Sequence, residues 1–314
     1  MFTIDLPVAG LEVFWPAVIL LGACIGCLTG LFGVGGGFLL TPCLKFLIGV
    51  PFPVAVGSDL AQIFVTGSYS TYRHNKRGNV DAKLGVVLAA GAIAGTFVGA
   101  ALLQWLKTQA PPVTIAGSEQ PAVDLVLSAL FVALMCIVGV AILRETGKAA
   151  DQGEEEADTS LARALRRLGL APVLAFPRSR IHRLSLWVPM GLACAVGVLT
   201  GLLGVGGGFV MFPLLVYLIG APTAVAVGTS AFQIMCATAY GATDHYFKGN
   251  VDLVLVALLL AGSIAGARFG VWAHHRLGGR RIRRYFAAIL ALGVAVVVIG
   301  LLNQILSGGP APTH

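Results

Sequence analysis

The chain has 314 residues, 57% of them hydrophobic and only 11% charged, and its mean hydropathy is +0.88. Soluble domains typically carry about 25% charged residues, so an ordinary water-soluble enzyme is excluded. The net charge of +7 does not point to nucleic acid either, because the basic residues are confined to a few loops between apolar runs.

In chain order, the first 14 residues contain Asp5 and Glu12 but no basic residue, unlike the start of a secretory signal peptide. Apolar runs then lie near 15–33, 54–72, 81–106, 123–143, 185–203, 224–243, 252–273 and 285–306. Each is about as long as the ~20 residues that carry a helix across ~30 Å of hydrocarbon. Two shorter runs, 36–49 and 207–220, follow Gly-rich motifs. At ~1.5 Å per residue these reach only ~21 Å, which suits half-helices or locally thinned crossings. The pattern predicts an all-α polytopic membrane protein with the lipid bilayer as its surroundings. All six cysteines (Cys24, Cys27, Cys43, Cys136, Cys194 and Cys236) fall within apolar segments and read as small packing residues. No metal-ligand spacing and no cofactor-binding element is legible.

Residues 30–99 repeat at 201–270 with a constant offset of 171 and no gap. The first copy reads GLFGVGGGFLLTP, then VAVGSDLAQI and GNVD; the second reads GLLGVGGGFVMFP, then VAVGTSAFQI and GNVD. The chain therefore divides into a first transmembrane repeat (1–143), a linker (144–184) and a second repeat (185–314). Tandem repeats in so apolar a chain are how many transporters are built, with the substrate held between the halves.

The charges orient the repeats. Loop 73–83 carries Arg73, Lys76, Arg77 and Lys83; loop 144–184 carries seven arginines and Lys148; loop 274–284 carries Arg276, Arg280, Arg281, Arg283 and Arg284. By the positive-inside rule all three face the cytoplasm. Their repeat images, 244–254 and 103–113, hold only Lys248 and Lys107. Equivalent loops thus face opposite sides, and the halves are inverted. Five segments per half satisfy every loop and place both termini outside. Within the linker, the acidic run from Asp151 to Asp158 and the basic stretch LARALRRLGL read as a solvated tether, with lipid-headgroup binding as the alternative.

Four glycines in five residues cannot hold a regular helix. Gly33, Gly35, Gly36 and Gly37, and again Gly204, Gly206, Gly207 and Gly208, therefore predict helix breaks near the midplane. Such breaks are tolerated where they are buried in protein or line a wet cavity. Free N–H groups there would suit an anion; close packing of small residues is the competing account. Gly91, Gly95 and Gly99, like Gly262, Gly266 and Gly270, read as packing alone.

On the following helix Ser58, Gln62 and Thr66 share one face with Tyr69, and the second copy offers Thr229, Ser230, Gln233 and Tyr240. Two Gln residues in equivalent positions, each a turn after a hydroxyl, are candidate substrate ligands; helix–helix hydrogen bonding is the alternative. Asp59 replaces the Ser230 of the second copy. A carboxylate at depth costs ~2.5–3.5 kcal/mol on insertion scales, so Asp59 is a proton-coupling candidate unless it sits among headgroups. Arg268, opposite Phe97 in the repeat, either contacts the anion or snorkels toward the basic loop. Asn and Asp of the two GNVD motifs are expected to cap helices. His74 and His245 are expected in loops, as weak gating candidates.

With these motifs in hand, the chain resembles the TauE/SafE family of sulfite exporters over nearly all of 15–305. The likeness rests on the glycine motifs at 30–42 and 201–213, on VAVGTS at 225–230 and on the G-x-V-D helix starts. It departs from that family's pattern at Asp59. The resemblance implies a bacterial inner-membrane permease for a small sulfur-containing anion such as sulfite, thiosulfate or an organosulfonate. Transport would draw on electrochemical gradients. Permeation of a carboxylate, a passive anion channel and assembly as a homodimer stay open. The sequence offers no HExxH or GxSxG motif and no clustered carboxylates that would favour an intramembrane enzyme.

Overall fold

The computed structural model describes residues 2–109, 112–115, 118–152, 165, 170–203 and 207–306. Among them, ten helices and three antiparallel hairpins follow one another as two copies of one plan. The first copy opens with hairpin β1 (Thr3–Leu6) and β2 (Leu11–Phe14), then α1 (Trp15–Phe32) and the short α2 (Gly37–Cys43). Next come α3 (Phe52–Asn75), α4 (Ala82–Gln109), hairpin β3 (Pro112–Ile115) and β4 (Ser118–Pro121), and α5 (Ala122–Gln152). The second copy has hairpin β5 (Val173–Phe176) and β6 (Ile181–Ser185), α6 (Trp187–Leu203), the short α7 (Gly208–Leu214), α8 (Thr223–Phe247), α9 (Leu253–Arg276) and α10 (Gly279–Leu306). Each short helix carries a proline, Pro42 or Pro213, and then widens into a π turn, Leu44–Ile48 or Leu215–Ile219. That local adjustment rehouses backbone groups freed by the ring.

Glycine spacing sets the main contacts. In α1, Gly22, Gly26 and Gly30 lie against the backbone of Leu259, Ser263 and Ala267 in α9, and Gly262, Gly266 and Gly270 lie against Ile19, Ala23 and Cys27 in return. The rising order on both sides makes α1 and α9 parallel. The repeat image is the same: Gly91, Gly95 and Gly99 of α4 face Met190, Cys194 and Val198 of α6. These stripes pack helices backbone to backbone, as their spacing predicts. Between the two pairs, α3 and α8 cross antiparallel, with Leu60 against Gly241 and Met235 beside Gly67. The crossing centres on Ile63 and Ile234, which are themselves repeat images.

These directions fix the topology. Five segments per half run in opposite senses in the two halves, so the repeats are inverted. The α3–α4 loop, the end of α5 with hairpin β5–β6, and the α9–α10 loop all emerge at one end, the basic end. Hairpin β1–β2 lies at the other. Helix α5 runs on to Gln152 and β5–β6 occupies 173–185, so part of the stretch read as a solvated linker is ordered structure. The acidic run from Glu154 and nearly all of LARALRRLGL lie outside the described residues.

The GNVD motifs do more than cap. Asp252 Oδ1 accepts from the N–H groups of Val254 and Leu255 at 3.0 and 3.1 Å, while Oδ2 accepts from Val8 and Ala9 of hairpin β1–β2 at 2.9 and 3.2 Å. Asp81 mirrors it: Oδ1 accepts from Leu84 N–H at 3.3 Å, and Oδ2 takes the N–H and hydroxyl of Ser179, in hairpin β5–β6, at 3.2 and 2.9 Å. One buried carboxylate thus ties a helix start in one repeat to the hairpin of the other. Asp252→Ala should lower unfolding stability by about 2–4 kcal/mol, since it strands buried N–H groups and removes the cap. Thermal unfolding in detergent reads this, and Asp252→Asn should recover only part of the loss, since its one oxygen can serve the helix cap while its Nδ2 donor faces the N–H groups of Val8 and Ala9.

Candidate functional site

At the first break the backbone demands glycine. Gly33, Gly35 and Gly36 have φ of +65°, +79° and +74°, where a side chain is strained. Gly33 caps α1, its N–H reaching Thr29 carbonyl, and Gly36 caps α2. The break is packed shut. Gly35 lies between Ile63 and Ile234, Gly36 lies against Ile25 and Thr29, and Gly37 is buried at the start of α2. The two motifs meet here, with the carbonyl of Val34 standing where a Cβ of Gly208 would be. This convergence at the α3–α8 crossing places the broken helices near the midplane. Gly204 and Gly206 lie outside the described residues. Gly207 caps α7 with an ordinary φ of −64°.

The polar face divides in two. Ser58 and Thr229 are committed to architecture: Ser58 Oγ accepts from Asp252 N–H and Thr229 Oγ1 from Asp81 N–H, each at 3.0 Å. The candidate substrate hydroxyls at 58 and 229 are therefore helix-start ligands of the opposite repeat. Ser230 donates to the carbonyl of Gly33 at 2.7 Å, tying α8 to the first break. The two glutamines remain. Gln62 Nε2 donates to Thr66 Oγ1 at 2.8 Å, whereas the carbonyl oxygens of Gln62 and Gln233 are buried without a partner.

Gln233 lies at the inner end of a cavity of about 210 Å³ between α3, α4, α6 and α8. Its inner wall is Gly207, Thr200 and Ile234; its outer end reaches Asp244, His245 and Lys248 at the close of α8. From Gln233 to Lys248 the helix rises about 22 Å, so the cavity runs from the membrane centre to the end opposite the basic loops. Its walls are mainly apolar, with Val56, Leu60, Ala92 and Phe97 among them. Thr96, Thr200 and Thr238 donate to carbonyls of their own helices and present acceptor lone pairs rather than O–H donors. Lys248 pairs with Asp244 at 2.6 Å on the exposed rim.

The repeat image of this cavity is closed. Thr66 and Ser263 hydroxyls bond at 2.8 Å across α3 and α9, and both residues are fully buried. Nearer the basic end, His74 Nε2 donates to the carbonyl of Gly30 at 3.0 Å and His274 Nδ1 to that of Leu31 at 2.9 Å, their rings 5.0 Å apart. Both His74 and His245 stand in the last turn of a helix, not in loops as expected. The open cavity has Ala237 and Ala92 where the seal has Thr66 and Ser263. The seal is written into one repeat only.

Asp59 lies seven residues into α3 at 2% exposure. Thr41 Oγ1 donates to its Oδ2 at 2.7 Å; Oδ1 has no partner, and the Cys43 thiol lies within Coulombic reach. The pair is particular to the first repeat, since the images of Asp59 and Thr41 are Ser230 and Phe212. Arg268 is exposed on α9. No cluster of metal-ligating side chains occurs among the described residues. The cavity walls on α4 and α6 and the rim at Lys248 are not legible in the sequence, whereas His245, a gating candidate there, stands on that rim. The 171-residue offset applied to Gln62 and Gln233 was the one signal that pointed there.

A family model described as sulfite exporter TauE/SafE matches residues 18–297. The chain is 25% identical over 292 residues to the probable membrane transporter protein YunE of Bacillus subtilis, covering 90% of this chain and 94% of that protein. It is 28% identical to the probable membrane transporter protein YjnA of the same organism, over 87% of this chain and 96% of the relative. An archaeal relative, the probable membrane transporter protein MJ0441 of Methanocaldococcus jannaschii, is 23% identical over 88% and 92%. No solved structure matches the chain.

Proposed function

We propose that this chain, which belongs to the sulfite exporter TauE/SafE family of membrane transporters, is a secondary carrier that moves a small sulfur-containing anion by alternating access. The observation that carries the reading is the contrast between its halves: a cavity open at one end beside the second repeat, and a hydrogen-bonded seal at its repeat image. In an inverted-repeat carrier, exchanging the two local arrangements exchanges the open face. By the positive-inside rule the basic end is cytoplasmic, so the arrangement seen here faces outward and both termini lie on the outer side of a bacterial inner membrane.

Gln233 is the residue on which we place cargo binding. Its carbonyl oxygen has no partner, so turning the amide to present Nε2 to an anion breaks no hydrogen bond there. At the rim Lys248 is already paired with Asp244, so the amide of Gln233 is the donor this cavity offers an anion. We place proton coupling on Asp59 of α3, because its buried carboxylate keeps one oxygen without a hydrogen-bond partner.

The test is flux in proteoliposomes across sulfite, thiosulfate, organosulfonates and carboxylates, with and without a pH gradient. Saturable, pH-driven accumulation of one or more sulfur anions is expected. Non-saturating flux would make the protein a channel, and preference for carboxylates would replace the cargo. Asp59→Asn should leave binding intact and abolish accumulation driven by pH; full pH-driven accumulation in this variant would remove Asp59 from coupling.

A further inference from the structure

We infer that the inward-facing state opens a second anion cavity, the repeat image of the open one, lined by Gln62 and the guanidinium groups of Arg73, Arg77 and Arg268. The inference rests on the alternating-access reading above. The residues that line the open cavity have their repeat images 171 positions away, around the seal.

The carry-over changes the chemistry of the walls. Phe97, on the apolar wall, becomes Arg268; Asp244 and Lys248, a neutral ion pair on the rim, become Arg73 and Arg77. Gln233 maps to Gln62, and Ala237 to Thr66. The outward cavity thus offers one paired cation and mostly hydrocarbon, whereas the inward one offers three cations with no acidic residue among these images. In the sealed arrangement these groups stand ready at its edge. Arg73 is half-buried, Arg77 Nη1 donates to the carbonyl of Val271 at 3.4 Å, and Arg268 is exposed. Breaking the Thr66–Ser263 and His74–Gly30 bonds would bring them around Gln62, whose carbonyl oxygen is already without a partner.

The ligand this suits is a small oxyanion, since guanidinium forks match the paired oxygens of such groups. The asymmetry does not set the direction of net transport, which the gradients decide. It sets which face captures cargo when cargo is scarce: the cytoplasmic face binds tightly and the outer face releases.

The experiment compares the two faces of one protein. In oriented vesicles, uptake of radiolabelled sulfite is measured from the cytoplasmic and the outer side. Arg268→Gln should raise KM at the cytoplasmic face by about 10-fold or more, the scale of one lost charge-assisted hydrogen bond, and leave the outer KM unchanged. Phe97→Arg should do the converse and lower KM at the outer face. A second arm needs no transported cargo. In a cysteine-free background, Ser70→Cys, the image of Gly241 in the open cavity, should react with an impermeant thiol reagent from the cytoplasmic side only. Its rate should rise when Thr66→Ala weakens the seal, and sulfite should slow it. Saturable sulfite flux with an unchanged cytoplasmic KM in Arg268→Gln overturns the inference while the carrier reading stands. Absence of saturable flux for every anion overturns the carrier reading, and Ser70→Cys inert under all conditions overturns the second cavity on its own evidence.

Discussion

Gln233→Leu should raise the KM for anion entering from the outer end by about 10–150-fold, the equivalent of roughly 1.5–3 kcal/mol for a hydrogen bond to a charged group. Gln62→Leu should act differently, although the two residues are repeat images. In the outward-facing arrangement Gln62 Nε2 is held by Thr66, which in turn holds Ser263. Its loss therefore loosens the seal before it touches cargo. Gln62→Leu is expected to change KM at the basic end and to raise leak, with a smaller effect on outer KM. Equilibrium binding and sided uptake in vesicles separate the two. Equal effects of both variants on the outer KM would mean that the cargo sits at the crossing between both amides rather than in the cavity beside Gln233.

Much of this architecture is legible in the sequence. Apolar run lengths give the long helices, the 171-residue offset gives the two halves, and the loops holding Arg73, Arg178 and Arg276 give their inversion. The glycine stripes in α4 and α9 gave helix contacts because only glycine lets two backbones approach so closely. What stayed hidden depends on partners distant in sequence. Ser58 and Thr229 looked like ligands because their helical face is polar, yet each is matched to a backbone N–H in the opposite repeat, 194 residues away for Ser58 and 148 for Thr229. No local pattern contains those pairings. Hairpins β1–β2 and β5–β6 were hidden for a similar reason. Their tips are held by Asp252 and Asp81, carboxylates that the sequence presents only as helix caps. The openness of one cavity and closure of its image rest on two hydroxyls replaced by alanines, and the offset exposes that difference only once the cavity is known.

The glycine breaks carry the largest expected effect, and the structure separates two substitutions that the sequence treats alike. Gly36→Leu places a side chain at φ +74°, against Ile25 and Thr29. Backbone strain of about 1–3 kcal/mol then adds to overpacking of about 1–3 kcal/mol, so this variant should lose folded protein. Gly207→Leu meets no such strain, because φ is −64°. Its Cβ presses on Thr200 Oγ1 and Val196 Cγ1, γ atoms of two stiff β-branched side chains that must both give way, and the remaining atoms enter the cavity of about 210 Å³ beside Gln233. A leucine there fills much of the space an anion needs and covers the amide with hydrocarbon. Gly207→Leu should therefore carry the overpacking of about 1–3 kcal/mol without the backbone strain, melting below the parent but above Gly36→Leu while losing nearly all flux, and Gly207→Ala should keep a measurable fraction. Size-exclusion profiles and thermal unfolding in detergent establish folding, and proteoliposome uptake reads the loss. Near-normal uptake by folded Gly207→Leu would show that the cavity beside the second break is not on the cargo's path, and that both glycine motifs serve only to let the short helices pack at the centre of the membrane.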